Sequence, residues 1–232
     1  MEKQKYAAIV LAAGSGKRMN SKVHKQYLII QDRPVLYYSL KEFEDSAVDE
    51  IVLVVGKGEE KFCRKEIVDK YGISKVKAIV EGGKERYHSV FEGLKQTSDA
   101  DYVLIHDGAR PFVNQDIIRR CMQEVQKYQA CVVGMPVKDT IKIADEEGYA
   151  KQTPDRKNVW MIQTPQTFSY ALIYEAYEEM LKTEDTAITD DAMVLERIKG
   201  KKSKLIEGSY RNIKITTPED LLIANVYLQH PE

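Results

Sequence analysis

The sequence predicts an α/β fold: a mostly parallel sheet with helices on both faces, and an extended antiparallel β-arm leaving it. Three observations carry this reading. Short β-branched apolar runs, bounded by turn residues, recur along the chain. Segments of helical period lie between them, and that alternation makes a parallel sheet with covered faces. After Pro136 the period changes to strand-like alternation around turns at Glu147-Gly148 and Pro154-Asp155. The 232 residues therefore divide into one domain, 1–136 with 160–232, and an arm over 137–159.

The expected strands are Tyr6–Leu11, Glu50–Val55, Lys75–Val80, Asp101–Ile105 and Ala130–Pro136. The expected helices between them are Pro34–Glu44, Glu59–Tyr71, Lys84–Gln96 and Gln115–Tyr128. Pro34 suits a first helical turn, and Asn114 suits an N-cap. The arm, Val137–Val159, is marginal in water by itself and calls for a partner surface. Beyond it we expect helices at Ser169–Lys182 and Asp190–Lys199, and a strand at Lys204–Glu207. "NIKIT" reads as a last strand, and a closing helix follows Thr217-Pro218-Glu219.

Charge and cysteine usage narrow the function. A net charge of -1 speaks against nucleic-acid or membrane-surface binding, which needs a basic surplus. Cys63, Cys121 and Cys131 stand far apart without a C-x-x-C, as reduced thiols of a cytoplasmic protein do. No apolar run approaches the ~18 residues of a membrane span. The four histidines form no zinc-type spacing.

Ligands of such sheets bind beyond the carboxyl ends of the strands, and the informative residues gather there. "AAGSGKRM" follows the first strand. It lacks the Ser or Thr of a Walker loop and the third glycine of a dinucleotide fingerprint. Gly14 and Gly16 let backbone N–H groups turn onto an anion, and Arg18 and Lys25 add charge. A triphosphate across an open loop fits; so does a solvated basic turn. Asp107 in "HDGARPFV" stands where a Mg²⁺ ligand belongs, or it pairs with Arg110 to shape the turn. "GGKERYHSV" offers Gly83 backbone and the Ser89 hydroxyl to a small base, or it only starts a helix with Arg86 exposed. "ITDDA" opens a helix, which capping explains and which a phosphate would also welcome. Lys214, within apolar "NIKIT", needs an anion to offset its burial. His88 and His106 read as structural.

Taken together, "AAGSGKRM", "KQYL", "GGKERYHSV", "HDGARPFV", "TPQTF", "ITDDA" and "NIKITTPEDL" resemble the 2-C-methyl-D-erythritol 4-phosphate cytidylyltransferase family nearly end to end. The resemblance implies a Rossmann-like nucleotidyltransferase domain. It implies CTP and methylerythritol phosphate as substrates, Mg²⁺, and a homodimer whose arms interlock. It puts Ala12, Ala13, Gly14, Gly16, Arg18 and Lys25 around CTP, Gly83 and Ser89 at the cytosine, and Asp107 at the metal. Arg156 from the partner's arm, with Thr189 and Lys214, would hold the sugar phosphate. Arg18, Lys25 and Lys214 would stabilise charge at the α-phosphate. Two positions depart from the family. Asn20 replaces the usual Gly, and His24 the usual Pro, whose fixed φ is lost, so a looser loop is expected. Ribitol 5-phosphate is the alternative acceptor, since it demands the same chemistry of the loop. A hexose-phosphate nucleotidyltransferase and a non-catalytic nucleotide sensor are more distant readings.

Overall fold

The computed structural model describes residues 3–14, 24–183 and 187–230. Its centre is a seven-stranded sheet of β1 (Tyr6–Ala12), β4 (Glu50–Val55), β5 (Val76–Glu81), β6 (Tyr102–Asp107), β7 (Ala130–Pro136), β10 (Trp160–Ser169) and β11 (Lys204–Glu207), in the order β11-β7-β10-β6-β1-β4-β5. Two short hairpins complete the strands: β2 (Ile29–Ile30) with β3 (Arg33–Pro34), and β8 (Ile143–Ala144) with β9 (Ala150–Gln152). Strands β6, β1, β4 and β5 run parallel, as does β11 with β7. β10 alone is antiparallel, between β6 and β7.

The side-chain period of two sends alternate residues to opposite faces. In β1, Tyr6, Ala8, Val10 and Ala12 join one core with Leu36, Phe43, Ile117 and Cys121. Ala7 and Ile9 join the other, with Val90, Leu94, Phe168 and Tyr177. The first core is covered by α1 (Val35–Asp45), α4 (Gln115–Tyr128) and α2 (Glu60–Cys63), which continues as a π-helical stretch over Arg64–Asp69. The second is covered by α3 (Arg86–Leu94), α5 (Tyr170–Met180) and α6 (Asp191–Lys199). A last helix, α7 (Pro218–Gln229), packs on β2. Each fully buried aliphatic side chain stabilises the fold by about 1.5–3 kcal/mol. Cys63, Cys121 and Cys131 are buried free thiols. No helix among the described residues is long and apolar enough to cross a membrane.

The predicted elements are found within a few residues, and Asn114 caps α4 by accepting from the Ile117 N–H at 2.9 Å. Three expectations change. Pro34 lies just before α1, at the N-cap, where it also pairs with Ile29. "NIKIT" is not a strand: it crosses the carboxyl edge of the sheet. There Ile215 N–H donates to Ala109 C=O, and the Asn212 side chain donates to Gln163 and Thr164, so a sheet ladder is replaced by loop contacts. "TPQTF" belongs to β10, a sheet strand that the sequence periodicity did not place. His24 has φ -61°, the angle a proline would impose, and its Nδ1 lies 2.7 Å from Glu59; the loop before it, where looseness was expected, lies outside the described residues. Asn20 lies outside the described residues.

Residues 138–158 leave the sheet between β7 and β10. Val137 N–H donates to Val159 C=O at 3.0 Å and closes its base. The turn at Gly148 has φ +89°, which glycine permits. The turn expected at Pro154-Asp155 leads into a 3-10 turn over Arg156–Asn158, capped by Asp155. Nearly every residue from 138 to 158 is exposed.

Candidate active site

The carboxyl ends of β1, β5 and β6 open on a cavity of about 350 Å³. Ala12, Ala13, Gly14, Lys25, Gly83, Ser89, Asp107 and Lys214 all line it, so eight residues chosen from separate motifs meet in one place. Gly16 and Arg18 lie outside the described residues. A second cavity of about 310 Å³ shares Arg86, Asp107 and Lys214 with the first and adds Arg110, Gln166, Thr189 and Asp190. Thr189 therefore lies on the far side of Asp107 from the glycine loop. Arg156 lines neither cavity of its own chain; its guanidinium donates to Lys138 C=O at 2.9 Å within the arm. A larger cavity, about 580 Å³ between α1, Phe112 and α7, contains none of the predicted residues. The meeting of the strand-end motifs, not size, marks the site.

Backbone shape on the nucleotide side is set by close contacts. A Cβ on Gly82 would sit 2.5 Å from Ala13 Cβ and 2.6 Å from Ser89 Oγ, so only glycine lets the two turns meet. The Ser89 hydroxyl accepts from Gly83 N–H at 3.1 Å and donates to Glu85 C=O at 3.2 Å. It holds the turn's shape while lining the cavity. The buried Gln26 amide donates to Ala12 C=O, and Lys25 Nζ donates to Ile215 C=O at 2.9 Å. Both bind the far end of the glycine loop to the sheet edge.

Asp107, 8% exposed, is the electrostatic centre. Lys214 Nζ lies 2.8 Å from Oδ2, Arg110 Nε 3.7 Å from Oδ2, and Arg86 Nε 3.4 Å from Oδ1. Burial works to raise its pKa, but the charges of Arg86, Lys214 and Arg110 outweigh burial and hold the carboxyl well below the usual range. The Asp107–Arg110 pair proposed as a turn-shaping contact is real but is the longest of the three. The anion that Lys214 required is Asp107.

A chain of hydrogen bonds behind Asp107 fixes one tautomer of His106. Asp107 N–H donates to Thr164 Oγ1 at 3.1 Å, leaving the Thr164 hydroxyl proton for His106 Nδ1 at 3.0 Å. Nε2–H then donates to Arg110 C=O at 3.2 Å. Burial pushes the imidazole down to about 4, so it is neutral at pH 7 and structural, as the sequence suggested.

The sequence reading did not find the partners of several residues in this cluster. Arg86, read as exposed if its helix were merely structural, is instead bidentate to Asp191 at 2.7 and 2.8 Å. Asp190 caps α6, as the capping reading of "ITDDA" expected, accepting from Met193 N–H at 2.9 Å. Asp191 is fully buried and binds Arg86 and the Tyr177 hydroxyl. Gln166 of β10 accepts from the N–H groups of Asp191 and Ala192. The signals were present as a doubled Asp in "ITDDA" and as "TPQTF". Both sit in sequence far from the partners that give them meaning.

Residues 6–230 match the family model of IspD, 2-C-methyl-D-erythritol 4-phosphate cytidylyltransferase. The chain belongs to this family. A 2-C-methyl-D-erythritol 4-phosphate cytidylyltransferase from Lachnoclostridium phytofermentans is 50% identical over 226 residues, covering 97% of each chain. One from Lachnospira eligens is 53% identical over 224 residues, covering 96% of this chain and 98% of its own. Among solved structures, 4-diphosphocytidyl-2C-methyl-D-erythritol synthase from Anaerococcus prevotii superposes with a TM-score of 0.86 at 38% identity, covering 98% of this chain and 97% of its own. The cytidylyltransferase identity agrees with a cavity whose walls include a glycine turn, three lysines and a buried carboxylate.

Proposed function

We propose that this cytidylyltransferase moves the cytidylyl group of CTP to 2-C-methyl-D-erythritol 4-phosphate, giving 4-diphosphocytidyl-2-C-methyl-D-erythritol and pyrophosphate. This is a step of the methylerythritol phosphate route to isoprenoid precursors. The observation that carries this reading is Asp107 with its three cations, standing between two adjoining cavities. One cavity has the glycine turn and takes the nucleotide. The other has Thr189 and takes the sugar phosphate.

An acceptor phosphate oxygen attacks the α-phosphorus of CTP, a P–O bond forms, and the bond to pyrophosphate breaks in line. Negative oxygens crowd together in the transition state, so positioning and fixed positive charge supply the catalysis and no protein nucleophile is required. Lys214 and Lys25 line the nucleotide cavity and supply that charge, together with Arg18. Arg156 of the partner's arm clamps the acceptor phosphate. The exposure of Ile143 and Tyr149 on the arm, and of Met161 at its base, supports a homodimer.

The residues fit one Mg²⁺. Asp107 Oδ2 is held by Lys214 at 2.8 Å, whereas the contact to Arg86 at Oδ1 is longer, 3.4 Å. That leaves Oδ1 to face a cation, with phosphate oxygens and water completing the shell. No group of three His, Cys, Asp or Glu occurs among the described residues, as suits an ion held by one carboxylate and its substrate. The ion would neutralise phosphate charge.

The deciding experiment is pyrophosphate release from CTP with each acceptor. We expect kcat/KM for methylerythritol phosphate to exceed that for ribitol 5-phosphate by at least about tenfold. The opposite preference would assign the acceptor cavity to ribitol phosphate.

A further inference from the structure

Arg86 has an unusual set of partners for a cation beside a working carboxylate. A guanidinium next to a carboxylate normally forks onto it with two parallel hydrogen bonds. Here the fork is taken by Asp191, at 2.7 and 2.8 Å, and Asp107 receives only the Nε edge at 3.4 Å. Asp191 is itself held on three sides. Its Oδ1 accepts from the fully buried Tyr177 hydroxyl at 2.6 Å, and its backbone N–H donates to Gln166 at 2.9 Å. The next N–H, of Ala192, donates to the same Gln166 oxygen at 2.9 Å.

We infer that Asp191 and Tyr177 are positioning residues for the cytidylyl transfer, which hold the Arg86 fork away from Asp107 so that its charge is felt there while Oδ1 stays open. The inference rests on Asp107 acting in the reaction as proposed above. A buried ion pair contributes little net stability compared with apolar residues of the same volume, because desolvation offsets its attraction. A role in positioning accounts for its place at the junction of the two cavities, which Arg86 lines on both sides. Without the Asp191 carboxylate, Asp107 is the carboxylate that Arg86 already touches among the described residues. Arg86 would close on both Asp107 oxygens and displace Lys214 from Oδ2.

The test uses full-length Asp191→Asn and Tyr177→Phe, each also combined with Asp107→Asn, assayed with CTP and methylerythritol phosphate well below their melting temperatures. We expect kcat to fall by about tenfold or more in Asp191→Asn and by about threefold in Tyr177→Phe, with KM for CTP changing by less than about threefold. In the Asp107→Asn background neither substitution should lower kcat further, because its effect runs through Asp107. A structural role would instead lower the melting temperature equally in both backgrounds and leave kcat within about twofold of its parent. That result, or the same fold-loss of kcat with Asp107 already replaced, would overturn the inference. Tyr177→Phe keeps the ring and the Arg86–Asp191 pair, so it decides the matter if Asp191→Asn fails to fold. Absence of turnover in the unaltered chain, or a normal rate in Asp107→Asn alone, would count against the proposed function and not against this positioning.

Discussion

Asp107 and Arg156 are both charged, and both were singled out for binding phosphate or its metal, yet their surroundings differ completely. Asp107 is buried, held by three cations and by a backbone hydrogen bond to Thr164. Its place is over-determined by its own chain. Arg156 is exposed on an arm whose paired strands cover only Ile143–Ala144 and Ala150–Gln152, with one side-chain hydrogen bond to Lys138. The comparison teaches that the body fixes its charged groups by contacts of its own, whereas the arm gives Arg156 few such contacts. A hairpin this short does not hold a side chain to the tolerance that phosphoryl transfer requires.

The largest effect that would break this contrast is at its fixed pole. Asp107→Asn keeps the shape and removes the charge that Lys214 and Arg86 neutralise. Turnover should drop by roughly two orders of magnitude or more, as for loss of an electrostatic stabiliser. A near-normal rate with unchanged magnesium dependence would reduce Asp107 to a turn-shaping role. Next come the lysines of the body. Lys25→Ala and Lys214→Ala should lower kcat by roughly tenfold or more while raising KM less, because charge that develops in the transition state is felt there most. A rise confined to the KM for CTP would make them ground-state binders.

The arm is tested by complementation. Arg18→Ala and Arg156→Ala should each be nearly inactive alone. Co-expressed in equal amounts, they should form mixed dimers in which one site carries both lesions and the other neither. With random pairing roughly a quarter of all sites are then intact. Recovery of about that fraction, with mixed dimers verified by two tags, sharpens the comparison; no recovery assigns Arg156 to its own chain or to no site.

The smallest effect on activity near neutrality concerns stability, and it belongs to the body. His106 is pushed by burial from 6.5 to about 4. The folded state therefore disfavours its protonation. The stability linked to neutral His106 is fully present above pH 6.5 and is lost as pH falls towards 4, by about 3 kcal/mol in total. Urea midpoints measured between pH 7 and 4 should fall accordingly. His106→Gln should flatten that slope whatever its baseline stability; an unchanged slope would place the acid sensitivity elsewhere.

Much of the site was legible because it is local. Gly14, Gly83, Asp107 and Lys214 each follow a strand or cross a sheet edge, and the period of a buried strand is written in five or six consecutive residues. Parallel strands then bring their carboxyl ends together without further information. "NIKIT" misled because an apolar alternation looks the same whether its N–H groups find a ladder or a loop. The "TPQTF" strand was not placed because strand order is not encoded in strand period.

The sequence by itself determined an α/β body, an arm after Pro136, and the set of motifs at one end of the sheet, since short-range periodicity and turn chemistry suffice for these. The tertiary structure decided what each charge meets. Arg86 finds Asp191 across 105 residues, and Gln166 reaches the start of α6 from an antiparallel strand at the centre of the sheet. Such pairs are made by chain crossings and by burial, which favour partnered charges whatever their separation in sequence. No window of neighbouring residues contains that information.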